Sequence, residues 1–159
     1  GAEVLYAPDR LTTLEALSLG QALLELTERS FHADESSSTW YEMLREAFHH
    51  IATNPQSVIW TTALARSLDQ LGLTPDLPQS QESIRVKLSD GRVVERIDEG
   101  GEELTGRMLK LWHACRTLAL QDILRITHLD EESRILSSLL ERFWQYHTGV
   151  ELKSRKLAE

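Results

Sequence analysis

The stretch Ser83-Ile84-Arg85-Val86-Lys87-Leu88-Ser89-Asp90-Gly91-Arg92-Val93-Val94-Glu95-Arg96-Ile97 breaks the rhythm of the chain. Ile84, Val86 and Leu88 alternate with Arg85 and Lys87, Asp90-Gly91 supplies a bend, and Val93-Val94 resumes the apolar run. Alternation with a period of two and a turn that tolerates positive φ predict a β-hairpin over about 83–97. On both sides of it the apolar period is helical.

Towards the N-terminus, Leu14, Leu17, Leu24 and Phe31 recur at helical spacing, and Leu19, Leu23 and Leu26 widen that stripe. Thr12 and Glu15 have the spacing of a capping box that opens this first helix. Asp34 to Ser38 is polar and predicts a loop. Thr39 and Glu42 repeat the capping pattern ahead of Trp40, Leu44, Ala47, Phe48 and Ile51. After Asn54-Pro55 a third stripe runs through Val58, Ile59, Ala63, Leu64, Leu68 and Leu71, and Gly72 ends it in a left-handed cap. Thr74 to Pro78 holds two prolines and predicts a turn. Beyond the hairpin, Gly100-Gly101 releases the chain into a helix carrying Leu104, Met108, Leu109, Leu111 and Trp112. A short helix over Leu120 to Ile126 follows, and a last one from near Asp130 carries Ile135, Leu136, Leu139, Leu140, Phe143 and Trp144 to Gly149. The fold class is all-α: a bundle of about six helices with one small inserted hairpin, in a single domain spanning 1–159. At 159 residues and 41% hydrophobic content, one core is the economical arrangement.

Charge narrows the function classes. Asp and Glu number 25 against 17 Lys and Arg, a formal net charge of -8, so the molecule as a whole repels a phosphate backbone and any basic site must be local. The longest apolar run, Ala16 to Leu26, is broken by Ser18, Gly20, Gln21 and Glu25 and is too short to span a bilayer. Gly1-Ala2 begins no signal sequence, and without an initiator Met the chain reads as a fragment. Cys115 has no second cysteine to pair with and sits in an apolar helical pattern, as a core residue would.

Catalytic chemistry finds no support. Glu46 and His49 form one Glu-x-x-His, half of a di-iron carboxylate site, and the other half is absent. His49 and His50 diverge by roughly 100° on a helix and would not chelate one ion together. His32, His113, His128 and His147 are scattered, and no nucleophile elbow, P-loop or dinucleotide fingerprint occurs. The four tryptophans, Trp40, Trp60, Trp112 and Trp144, all lie in or beside apolar stripes and predict core packing. The basic segment Lys153-Ser154-Arg155-Lys156 stands out from an acidic chain.

That segment belongs to a wider resemblance. Tyr146-His147-Thr148-Gly149-Val150-Glu151-Leu152-Lys153-Ser154-Arg155-Lys156-Leu157 is similar to the ending of RecO proteins, in which a long helix closes on Gly and Leu-Lys-Ser-Arg follows. Thr105-Gly106-Arg107-Met108-Leu109-Lys110 resembles the family's Thr-Gly-Arg-x-Leu-Lys element. Leu71-Gly72-Leu73-Thr74-Pro75-Asp76-Leu77 resembles its Leu-Gly-Tyr-x-Pro-Asp-Leu turn. The resemblance covers about Leu11 to Leu157 and implies the C-terminal helical domain of this DNA repair family. Two departures qualify it. Nothing here reads as the five strands of the family's oligonucleotide-binding barrel, so strand annealing is not expected. The four-cysteine zinc module of many members has no counterpart between Gln79 and Ile97, so no metal or other cofactor is expected.

What the resemblance implies is a non-catalytic recombination mediator in the bacterial cytoplasm, associated with the nucleoid. It would bind the acidic, Phe-ended tail of single-stranded DNA-binding protein and help to load RecA together with RecR. DNA itself would be bound weakly, and neither a membrane nor a small molecule is an expected partner. Such a tail needs an apolar pocket and nearby cations. By residue type, Arg107 and Lys110 beside Met108 and Trp112 meet that demand, with Lys153, Arg155 and Lys156 as a second cationic cluster. The competing expectation is a stand-alone helical adaptor, or the ligand-binding domain of a transcriptional regulator with tryptophans lining its pocket.

Overall fold

The computed structural model describes residues 13–31, 37–52, 57–78, 82–94 and 100–152. Among them are six helices: α1 (Leu14–Ser30), α2 (Ser38–Ile51), α3 (Ser57–Gln70), α4 (Gly106–Thr117), α5 (Leu120–Leu124) and α6 (Asp130–Thr148). Three strands, β1 (Ile84–Val86), β2 (Val93–Val94) and β3 (Glu102–Leu104), stand between α3 and α4. The helical bundle with its inserted hairpin is therefore present. The expected Asp34–Ser38 loop and the Asn54-Pro55 restart fall largely or wholly outside the described residues.

Helix α3 is the axis of the bundle. From Ile59 to Leu68 every side chain except Arg66 is buried, and the helix packs against α1, α4, α5 and α6. A helix apolar on nearly all sides is stable only when neighbours surround it. Its end is a Schellman motif: Gly72, at φ 70°, donates to the Asp69 carbonyl (3.1 Å), and Leu73 donates to the Leu68 carbonyl (2.8 Å). Gly149, at φ 71°, closes α6 with a bond to the Gln145 carbonyl (2.9 Å).

All four tryptophans are in the core, none more than 4% exposed. One polar chain crosses three helices beneath them. Trp144 Nε1 donates to Ser67 Oγ (2.9 Å), and Ser30 Oγ donates to the Leu26 carbonyl (2.6 Å). Ser30's single proton is thereby committed, so the 2.6 Å bond between the two hydroxyls has Ser67 as its donor. The chain runs α6 to α3 to α1 with every buried donor satisfied.

The structure corrects several local expectations. The first helix is capped by Thr13, whose hydroxyl accepts from Ala16 N at 3.0 Å, while Thr12 lies outside the described residues. The second is capped by Ser37, which accepts from Trp40 N, because Ser37 is still extended whereas Thr39 is already helical. In α1 the expected stripe divides: Leu14, Leu17 and Leu24 are exposed, whereas Leu19, Leu23 and Leu26 face the core with Ala16 and Ala22, and Phe31 packs half-buried against it. Small residues on that inner face allow close approach; a Cβ on Gly20 would stand 3.2 Å from the Phe48 ring. Ile135, expected with the buried face of α6, is also exposed.

The hairpin pairs Arg85 with Val94 and Val86 with Val93, around a turn at Leu88–Asp90. Gly91 N donates to the Lys87 carbonyl (2.8 Å), and Asp90 Oδ1 accepts from Arg92 N (2.9 Å). A third strand is an addition to the expectation: β3 pairs antiparallel on the other edge of β1, giving the order β2-β1-β3. Leu104, expected in the following helix, belongs to this strand and is fully buried, and Thr105 caps α4 by accepting from Met108 N at 3.1 Å. The hairpin is fastened to the bundle where His147 Nε2 donates to the Leu88 carbonyl (2.8 Å).

Candidate functional site

The site grows from the turn that ends α3. After the Schellman cap, residues 73–78 run without regular structure, and Pro75 and Pro78 exclude both helix and interior strand. Two contacts hold this segment beside α4. Thr74 Oγ1 donates to Asp69 Oδ1 at 2.6 Å, and Arg116 Nε lies 3.0 and 2.9 Å from the two Asp69 oxygens. The hairpin tip supports it from behind. Gly91, at φ 69°, lies so close to Pro75 that an added Cβ would stand 2.8 Å from the proline Cβ.

Between this segment and α4 opens a pocket of about 600 Å³. Thr74, Pro75, Asp76, Leu77 and Pro78 line one side, and Leu109, Lys110, Trp112, His113 and Arg116 line the other. The α4 residues recur at spacings of three and four around Leu109, His113 and Arg116, which places them on one flank of the helix. Met108, Leu111 and Cys115 point into the core. The pocket thus combines an apolar wall of Pro75, Leu77, Pro78, Leu109 and Trp112 with the cations Lys110 and Arg116. Trp112 differs from the other three tryptophans. Trp40, Trp60 and Trp144 donate their indole N–H to Thr27, Glu141 and Ser67, whereas Trp112 Nε1 is buried with no hydrogen-bond partner among the described residues.

On the other side of Arg116 lies a second cavity of about 530 Å³, lined by residues that include Phe31, Ser37, Thr39, Trp40, Arg66 and Arg116. Arg66 reaches from α3 across the end of α4, its Nε donating to the Cys115 carbonyl (3.0 Å) and an Nη to the Leu118 carbonyl. Burial lowers its pKa; nearby Cys115, Glu46 and Asp69 partly offset this, and among the described residues Arg66 has no ion-pair partner. Behind it, burial pushes the Cys115 thiol up to about 11, against a hydrogen bond from Thr62 Oγ1 (3.4 Å) and the nearby Arg66 charge. A thiol held protonated and fully buried is no nucleophile.

The structure separates the residues that their types alone put together. Lys110 and Trp112 line the pocket, and Met108 is in the core. Arg107 turns away: its Nε pairs with Glu132 at 2.8 Å and an Nη donates to the His128 carbonyl, tying α4 to the start of α6. Lys153, Arg155 and Lys156 lie outside the described residues. Arg116, His113 and the Thr74–Pro78 wall are additions. Arg116 had one legible signal, its place one further turn along the flank of Leu109 and His113. Among the described residues no three His, Cys, Asp or Glu side chains come together as a metal site, and the His49 and His50 rings stand edge to face, 5.5 Å apart. No described helix is long and apolar enough to cross a membrane.

A family model described as the C-terminal part of recombination protein O matches residues 11–156. No curated protein and no solved structure matches the chain.

Proposed function

The chain belongs to the recombination protein O C-terminal family, and on that premise we propose that its pocket between α4 and the Thr74–Pro78 segment binds the acidic, Phe-ended tail of single-stranded DNA-binding protein. The family gives it a role in recombination and DNA repair, and the family is one of mediators. In this proposal the chain is non-catalytic, acts in the bacterial cytoplasm at the nucleoid, and cooperates with RecR in loading RecA. Weak contact with DNA belongs to the same reading.

The observation that carries it is the combination of an apolar pocket with Lys110 and Arg116 at its side, in a chain of net charge -8. A terminal aromatic ring gains by leaving water against Pro75, Leu77 and Leu109, and carboxylates gain charge-assisted hydrogen bonds from the cations. Arg116 takes the role that residue type alone assigned to Arg107, because the Arg107 guanidinium already serves Glu132.

Fluorescence titration with a labelled tail peptide tests this. Lys110 is exposed and has no ion pair among the described residues, so Lys110→Glu is expected to weaken binding by about tenfold or more with the thermal midpoint unchanged. Arg107→Gln is expected to lower the midpoint slightly, through loss of the Glu132 pair, and to leave affinity intact. The reverse pattern would move the site to the start of α4.

A further inference from the structure

We propose that the outer face shared by α1 and α2 is a docking site for a basic amphipathic helix of a partner protein. This face lies apart from the tail pocket: Leu14, Leu17, Leu24 and Tyr41 line neither of the two cavities described above.

Two contacts set its geometry. Gly20 lies against the Phe48 ring, and Thr27 Oγ1 accepts from Trp40 Nε1 at 3.1 Å, so α1 and α2 run antiparallel. Leu17, Leu24 and Phe31 follow one another at intervals of seven, which keeps them on one flank of α1 over about 21 Å. Phe31 joins that flank to α2: its ring centre is 5.2 Å from that of Trp40 and 6.4 Å from that of Tyr41. Tyr41 and the half-buried Phe48, again seven apart, carry the surface along α2. Leu14, Leu17, Leu24 and Tyr41 are all exposed, Leu24 by 54%. A lone exposed leucine is ordinary, but an aligned set on neighbouring helices is the pattern of an interaction surface.

Spacing and charge identify the occupant. Apolar side chains repeated at seven-residue intervals on two adjoining helices suit a third helix laid along them. The charged residues beside them on α1 are Glu15, Glu25, Glu28 and Arg29, and on α2 Arg45 is already 3.8 Å from Glu42, so the rim carries an excess of acid. A second copy of the chain would meet the same acids. An antiparallel pairing of Leu17 with Leu24 sets position 25 opposite 16 and position 28 opposite 13, which brings Glu25 and Glu28 to the Glu15 of the other copy. An anionic membrane surface is repelled in the same way. A helix whose apolar stripe is flanked by lysine or arginine meets both the leucines and the rim.

The probe is a labelled helical peptide of about 18 residues, long enough to cover the face, with leucines along one side and lysines flanking them. Its counterpart carries glutamates in place of the lysines. Fluorescence anisotropy is expected to show binding of the basic peptide and about tenfold weaker binding of the acidic one. Leu17→Gln combined with Leu24→Gln is expected to weaken the basic peptide by about tenfold or more. Both side chains are exposed and glutamine is as good a helix former, so the thermal midpoint and the affinity for the tail peptide are expected to stay unchanged. Glu28→Lys is expected to narrow the gap between the two peptides. No binding of the basic peptide, equal affinity for both, or an affinity indifferent to the leucine substitutions overturns the proposal. Displacement of the basic peptide by the tail peptide does so as well, by placing the probe in the pocket. Sedimentation showing a dimer that the leucine substitutions dissociate would assign the face to a second copy and also overturn it.

Discussion

Cys115 has 0% exposure, receives a hydrogen bond from Thr62 and stays protonated until about pH 11. In the unfolded chain the same thiol ionises near its ordinary value of 9.0. Between these two values the unfolded state has lost a proton that the folded state keeps, so stability falls as pH rises through that window and is unaffected by this group below it. Two pH units correspond to a loss of about 3 kcal/mol at most. Cys115→Ala should remove this slope, at the cost of a small cavity that lowers stability equally at all pH values. Urea titrations of both proteins at several pH values between 8 and 11 check it; parallel curves would show that the thiol is not the group responsible.

At the scale of elements, the pocket depends on the hairpin holding the Thr74–Pro78 segment in place. Gly91 and Gly72 make a matched pair for testing this. Both have positive φ, 69° and 70°, but a Cβ on Gly91 would collide with Pro75 at 2.8 Å, whereas one on Gly72 meets nothing within 4 Å. Gly72→Ala should cost only the backbone strain, about 1 kcal/mol. Gly91→Ala adds overpacking against a rigid ring, for a total of about 2–4 kcal/mol, and should also displace the wall and weaken the tail peptide. Denaturant midpoints and peptide titrations of the two variants side by side measure the difference; equal costs would show that the hairpin does not support the wall.

For the whole molecule the governing quantity is a net charge of -8. Its field opposes approach of a polyanion, and the few cations beside the pocket form a local site too small to reverse it along a nucleic-acid backbone. Single-stranded DNA is therefore expected to bind weakly at physiological salt. Electrophoretic titration yielding submicromolar affinity would show a nucleic-acid surface independent of this field.

How far the sequence reached depends on the range over which each feature is decided. The hairpin, the left-handed stop at Gly72, the end of the last helix at Gly149 and the burial of the tryptophans were legible, because period, turn chemistry and side-chain size act within a few residues. The motif at residues 71–77 was legible as a turn, not as the wall of a pocket. Glu102-Glu103-Leu104 gave no strand signal, since glutamate is a poor strand former and only the free edge of β1 recruits it. The inward face of α1 was ambiguous because leucines lie on both sides, and close packing of Gly20 on Phe48 selected one. The cations show the limit most clearly. Arg107 and Arg116 are the same residue type on the same helix, yet one is spent on Glu132 and the other meets Asp69 beside the pocket. Pairings across such separations are made by the packing of whole helices, so composition and periodicity established the domain and its elements, while only the tertiary structure decided which charges remain available to a partner.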